Sequence, residues 1–119
     1  KQGARVVTAF DEDWAQQQAQ GVTFRSLCER AVAPLPKDLY ISFDIDGLDP
    51  SLCPHTGTPV PGGLSFHQAT LLLDLARQGR RVVGFDLVEV APGPEHEPEW
   101  DANVGARVLY KLCGAAMAR

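Results

Sequence analysis

A chain of 119 residues has room for one domain at most. With 45% hydrophobic and 22% charged residues it has the balance of an ordinary globular protein rather than a disordered one. The formal net charge of −4, with no basic cluster larger than the pair Arg80–Arg81, argues against a nucleic-acid partner, and no apolar run approaches the ~20 residues of a membrane span.

Residues 5–10 are short and rich in β-branched side chains, which predicts a strand. Asp11, Glu12 and Asp13 then open a polar segment, and acids at that place suit a helix N-terminus. From Thr23, apolar residues recur at Phe24, Leu27, Cys28, Ala31 and Val32, so the spacing predicts a helix capped by Thr23 and stopped by Pro34 and Pro36. Residues 39–45 form a near-continuous apolar run, as expected of a strand buried on both sheet faces. A loop with four prolines and four glycines follows from Asp46 to Gly63, stiff enough to serve as a fixed active-site loop.

Ser65 is placed to cap a helix running to about Gln78, with Leu71, Leu72, Leu75 and Ala76 as its apolar stripe and Gly79 as its stop. Residues 81–90 read as a second buried strand, and 91–99 as a second proline-rich loop. Residues 102–117 close the chain as a helix with Val104, Val108, Leu109 and Leu112 on one face. Strands alternating with helices predict an α/β fold, a mainly parallel sheet in a three-layer α/β/α arrangement. About three strands are few for such a sheet, and Lys1 runs at once into an apolar stretch without a Met. The expectation is therefore a portion of a larger domain. Cys28, Cys53 and Cys113 are far apart and include no C-x-x-C pair, which suggests reduced thiols and a cytoplasmic location; no signal or lipidation motif is visible.

Ligands of parallel sheets bind beyond the carboxyl ends of the strands, and two such ends here are acidic. Asp44 and Asp46 close the first buried strand, two residues apart, a spacing that lets both carboxylates face one site. Adjacent carboxylates repel unless a cation lies between them or one takes a proton. Oxygen donors of this kind suit Mg²⁺, Mn²⁺ or Ca²⁺. Asp49, followed by Pro50, is placed to shape a turn. The bland alternative is that Asp44 and Asp46 cap the loop. An EF-hand does not fit, because Leu48 stands in the loop and no Glu follows at the required spacing.

The run Ser42-Phe-Asp-Ile-Asp-Gly-Leu-Asp-Pro50, continued by Pro54-His-Thr-Gly-Thr-Pro-Val-Pro-Gly-Gly63, resembles the C-terminal signature of the ureohydrolases, the arginase/agmatinase/formimidoylglutamase family. Gly84-Phe-Asp-Leu-Val-Glu-Val-Ala-Pro92 is similar to the family's late strand, which ends in an acid before Asn-Pro or Ala-Pro. A weaker likeness runs on through Trp100-Asp-Ala-Asn-Val-Gly-Ala-Arg107. The resemblance implies that residues 1–119 are the C-terminal portion of a single arginase-like domain. It implies that Asp44 bridges two Mn²⁺ ions, that Asp46 holds the second ion, that Glu89 pairs with the substrate's guanidinium group as catalytic and substrate-binding acid, and that Thr58 lies near the substrate. The implied reaction is two-metal hydrolysis of a guanidino compound such as agmatine or arginine to urea and an amine, by a cytoplasmic homo-oligomer, trimer or hexamer.

The family's other metal motifs, G-G-x-H and D-A-H-x-D, do not occur in these residues. His55, His67 and His96 lie outside such contexts and are expected at the surface. Two carboxylates alone do not complete a binuclear site, so the chain by itself is expected to be inactive. A non-catalytic structural or regulatory derivative of the family is the alternative. A further reading, a Mg²⁺-dependent haloacid-dehalogenase-type phosphatase with D-x-D-G at a strand end, fits less well, since Leu48-Asp49-Pro50 and the G-T-P-x-P-G-G loop have no place there.

Overall fold

A computed structural model describes residues 5–96 and 99–118. Two strands, β1 (Asp38–Asp44) and β2 (Arg81–Val88), pair in parallel, with Tyr40 opposite Gly84, Ser42 opposite Asp86 and Asp44 opposite Val88. The register slips once, between Leu39 and Tyr40. Four helices accompany them: α1 (Asp11–Ala19), α2 (Phe24–Val32), α3 (Phe66–Arg77) and α4 (Trp100–Met117).

The helix ends follow the local chemistry. The Thr23 hydroxyl accepts from the Ser26 amide and starts α2. Ser65 and Gln68 form a reciprocal capping box on α3, satisfying two amides that have no partner inside the helix. Gly79, at φ 69°, supplies the left-handed residue that turns the chain toward β2.

The first predicted strand is not one. Residues 5–10 have no regular structure, and Val6, Val7 and Phe10 are exposed. A strand exists only where it pairs with another, and residues 5–10 pair with neither β1 nor β2. The sheet therefore has two strands rather than three.

β1 alternates between a covered and an open face, whereas residues 84–87 of β2 are all half-buried. Ile41, Phe43, Phe85 and Leu87 pack on Ile45, Leu48, Cys53, Ala69, Leu73, Val104, Val108 and Leu112, which joins the sheet to α3 and α4. The Leu112 side chain has no exposure at all. A second cluster, Cys28, Val32, Leu39, Leu75 and Ala76, seats α2 on α3, with Trp14 and Phe24 stacked edge-to-face at 5.6 Å. α3 thus buries two faces, Leu75 and Ala76 toward α2 and Ala69 and Leu73 toward the sheet. The single stripe read from its sequence covers only the first.

On α4 the buried line is Val104, Val108, Leu112 and Ala115, while Leu109 is 44% exposed. Leu109 sits one residue, about 100°, off that line. The other sheet face, carrying Tyr40, Ser42 and Asp44, is open among the described residues. The expected burial on both faces is therefore replaced by burial on one, and the chain contributes the sheet and one helical layer of the α/β arrangement. No described helix is long and apolar enough to cross a membrane.

Candidate active site

β1 ends at Asp44, and the chain turns at once into a 3₁₀ turn, Ile45–Gly47. Ile45, fully buried, anchors that turn in the core. The Asp44 carboxylate accepts the Asp46 amide at 3.1 Å, which ties the two acids together. Strand alternation is thus not what relates them, because Asp46 has already left the strand. A second 3₁₀ turn, Pro50–Leu52, follows, capped by Asp49 through the Ser51 amide (2.9 Å) and hydroxyl (2.6 Å). These bonds hold the Asp49 carboxyl below the usual carboxylate range. The turn-shaping role expected of Asp49 is what it performs.

The loop then returns on itself. Asp49 donates its amide to the Leu64 carbonyl and Leu64 donates to that of Gly47, so Leu48 and Leu64 pair as an isolated bridge. A Cβ at Gly63 would overlap the Leu48 carbonyl, so only glycine permits the closure. The segment read as a long unstructured loop is therefore a closed, internally bonded one.

Residues 56–58 join the two acidic strand ends. The Thr58 hydroxyl donates to the Asp46 carboxylate at 2.6 Å. The Thr56 hydroxyl donates to the Glu89 carbonyl at 2.9 Å. A Cβ on Gly57, between them, would lie 3.5 Å from Glu89 Oε2. Asp44, Asp46, Thr58 and Glu89, all singled out in the sequence, thus belong to one constellation beyond the carboxyl ends of β1 and β2. Glu89 has φ 68°, the positive-φ residue other than glycine among those described.

His55 departs from its expected surface place. Its amide and its Nδ1 each lie 2.9 Å from an oxygen of Asp101, a carboxylate only 1% exposed in the first turn of α4. The positive end of the helix dipole favours an acid there. The Trp100 indole donates to the Ser51 carbonyl at 3.0 Å, so two adjacent residues of α4 brace the loop from behind. His67 and His96 are exposed, as expected. Sequence reading missed Thr56, Asp101 and Asp86, the last of which accepts from Tyr40 (3.0 Å) and Ser42 (2.7 Å) on the open sheet face. The available signal was weak: an acid in the first turn of a helix, and a second threonine two residues before Thr58.

Burial, followed by the negative charge of Asp101, Asp46, Asp49 and Asp44, pushes the Cys53 thiol above its ordinary pKa. The same field attracts cations. The raised value stabilises the fold in the thiol form, an effect complete below the unfolded thiol pKa and lost as the pH rises through the folded one. Cys53 and Cys28, both buried, are expected to react with a disulfide reagent near neutral pH only after denaturation, and the partly exposed Cys113 well before it. Timed thiol titration with and without denaturant checks this.

Asp44 and Asp46 fit a hard divalent cation in donor type. In number they fall short, for the described residues include no group of three or more His, Cys, Asp or Glu able to hold a metal. A depression of about 1510 Å³ lies elsewhere, lined by Lys37, Asp38, Arg81 and their neighbours at the opposite end of the strands.

The Arginase family model matches residues 2–114. The N(1)-aminopropylagmatine ureohydrolase of Thermus thermophilus is 45% identical over 80 residues, covering 67% of this chain and 26% of that protein. The guanidinobutyrase of Pseudomonas aeruginosa is 36% identical over 121 residues, covering 92% of this chain and 37% of the relative. The crystal structure of a hypothetical agmatinase from Burkholderia thailandensis superimposes with a TM-score of 0.67 at 37% identity, over 85% of this chain and 31% of that one. The chain thus spans roughly a quarter to two fifths of the length of these relatives. The match sets the phosphatase reading of D-x-D-G aside and agrees with the α/β fold described above. Sequence, fold and the placing of the two acidic strand ends lead to one assignment: the chain belongs to the arginase family.

Proposed function

We propose that the complete protein is a two-metal ureohydrolase that releases urea from a guanidino compound, with this chain as the C-terminal portion of its one domain. Membership of the arginase family implies a binuclear metal centre in general; manganese, and the residues that hold it, are the proposal. The observation that carries the reading is the short segment 56–58, which bonds through Thr58 to Asp46 and lies through Gly57 against the Glu89 carboxylate.

Asp44 and Asp46 would hold the ions together with further donors, since the described residues include no group of three or more ligating side chains. Paired divalent ions, when bound, supply the Lewis acidity that makes water a nucleophile near neutral pH. Thr58, by donating to one Asp46 oxygen, orients that carboxylate and fixes which oxygen stays available. Glu89 binds the planar guanidinium through charge-assisted hydrogen bonds and sets its carbon toward the aspartates. Water adds to that carbon, the bond to the alkyl nitrogen breaks, and that nitrogen leaves as the protonated amine. The guanidinium cation and water thus become urea and an ammonium ion, with atoms and charge conserved. The ureohydrolase and guanidinobutyrase names of the relatives support the substrate class. A homo-oligomer, trimer or hexamer, and a cytoplasmic location belong to the same proposal.

The alternative, a non-catalytic member of the family, draws on the missing third ligand among the described residues. Assay of the complete protein with Mn²⁺ against agmatine, arginine and guanidinobutyrate separates the two. Urea from at least one compound is expected, and no urea from any would leave the non-catalytic reading standing.

A further inference from the structure

We propose that Thr56 is a positioning residue that holds Glu89 in the conformation in which it receives the guanidinium group. The proposal rests on the reading of Glu89 as the substrate-binding acid. Thr56 is only 5% exposed. A buried hydroxyl requires a partner, and many carbonyls could serve. The one it takes is that of Glu89, at 2.9 Å, the non-glycine residue whose backbone lies at φ 68°. A left-handed conformation with a side chain is strained and persists only where its surroundings fix it.

Glu89 is fixed on both sides. Before it, Val88 is held in the sheet opposite Asp44. After it, the Thr56 bond fixes its carbonyl and so the following peptide plane. Its carboxylate, meanwhile, lies against Gly57, the next residue of the same loop. Thr56 is in turn held from behind, because the preceding His55 is bonded to the buried Asp101 through both its amide and its ring. The loop therefore sets the position of the guanidinium acid relative to Asp46 from one rigid segment, with Thr56 acting on the backbone of Glu89 and Thr58 on the carboxylate of Asp46.

A group that acts through Glu89 changes how the substrate is held more than how metals are held. In the complete, Mn²⁺-loaded protein, Thr56→Val is expected to raise KM for the guanidino substrate about tenfold, with kcat changed by less than about threefold and bound manganese unchanged. Thr56→Ser, which keeps the donor, is expected to return KM to within about twofold of wild type. A KM in Thr56→Val equal to wild type overturns the proposal, and so does a loss confined to kcat and thermal stability, which a merely structural hydroxyl would produce. If Thr56→Val does not fold, Thr56→Ser is set against Thr56→Cys, whose thiol is the weaker donor. A higher KM in the cysteine variant supports the positioning role, and equal values overturn it. An active wild type with an insensitive Thr56 overturns this proposal alone. A wild type that releases no urea overturns the reading of Glu89 beneath it, and the proposal with it.

Discussion

Replacing Asp44 with asparagine in the complete protein, assayed with Mn²⁺, is expected to lower kcat/KM for urea release by about 10³-fold or more. The proposed carboxylate bridges two ions, so its loss removes a shared anionic ligand from both at once. A metal centre that is merely weakened would recover at high Mn²⁺ concentration, whereas a missing bridge leaves kcat low even at saturation. Asp49→Asn is the matched control. Asp49 lies three residues beyond Asp46, but both hydrogen bonds of its side chain run to Ser51 within its own turn. Its activity is expected to stay within about threefold of wild type, because two exposed hydrogen bonds within one turn contribute little beyond local order. Manganese titrations of urea release, read with metal content after gel filtration, distinguish the two variants.

The second large effect belongs to Glu89. Glu89→Gln keeps the shape of the side chain and removes its charge, so a charge-assisted bond to the guanidinium becomes an ordinary one. A loss of about 10- to 100-fold in kcat/KM, carried mainly by KM, is expected. Metal content should not change, since Glu89 is not among the proposed ligands. An uncharged urea analogue should bind the variant and the wild type alike, while guanidinium ion should inhibit the variant far less. Equal inhibition by guanidinium in both would assign Glu89 another role.

Much of this site was legible in the chain itself. The acids at the ends of two apolar runs, the proline- and glycine-rich loop between them, and the Thr23 and Ser65 caps are local features, and local geometry determines them. What was not legible depends on partners far along the chain. His55 meets Asp101 across 46 positions, and Thr56 meets Glu89 across 33. No periodicity announces such pairs. The left-handed backbone of Glu89 was also invisible, because a non-glycine residue at positive φ is held by its surroundings and not by its own preference.

The apolar pattern failed in a related way. It announces that residues 5–10 favour an extended chain, but a strand exists only beside another strand. It marks Leu109 as apolar, but the sheet takes the Val104–Val108–Leu112 line and leaves Leu109 outside. Asp44 and Asp46 do lie together at the end of β1, but not for the reason that strand alternation gives. The two acids are joined by a hydrogen bond across a 3₁₀ turn and not by strand alternation.

The most direct test of the metal assignment is anomalous diffraction at the manganese edge, on crystals of the complete protein grown with Mn²⁺. Two peaks are expected within coordination distance of these carboxylates, with Asp44 touching both and Asp46 touching one. Manganese bound elsewhere, with Asp44 and Asp46 left uncoordinated in a protein that still releases urea, would contradict the assignment.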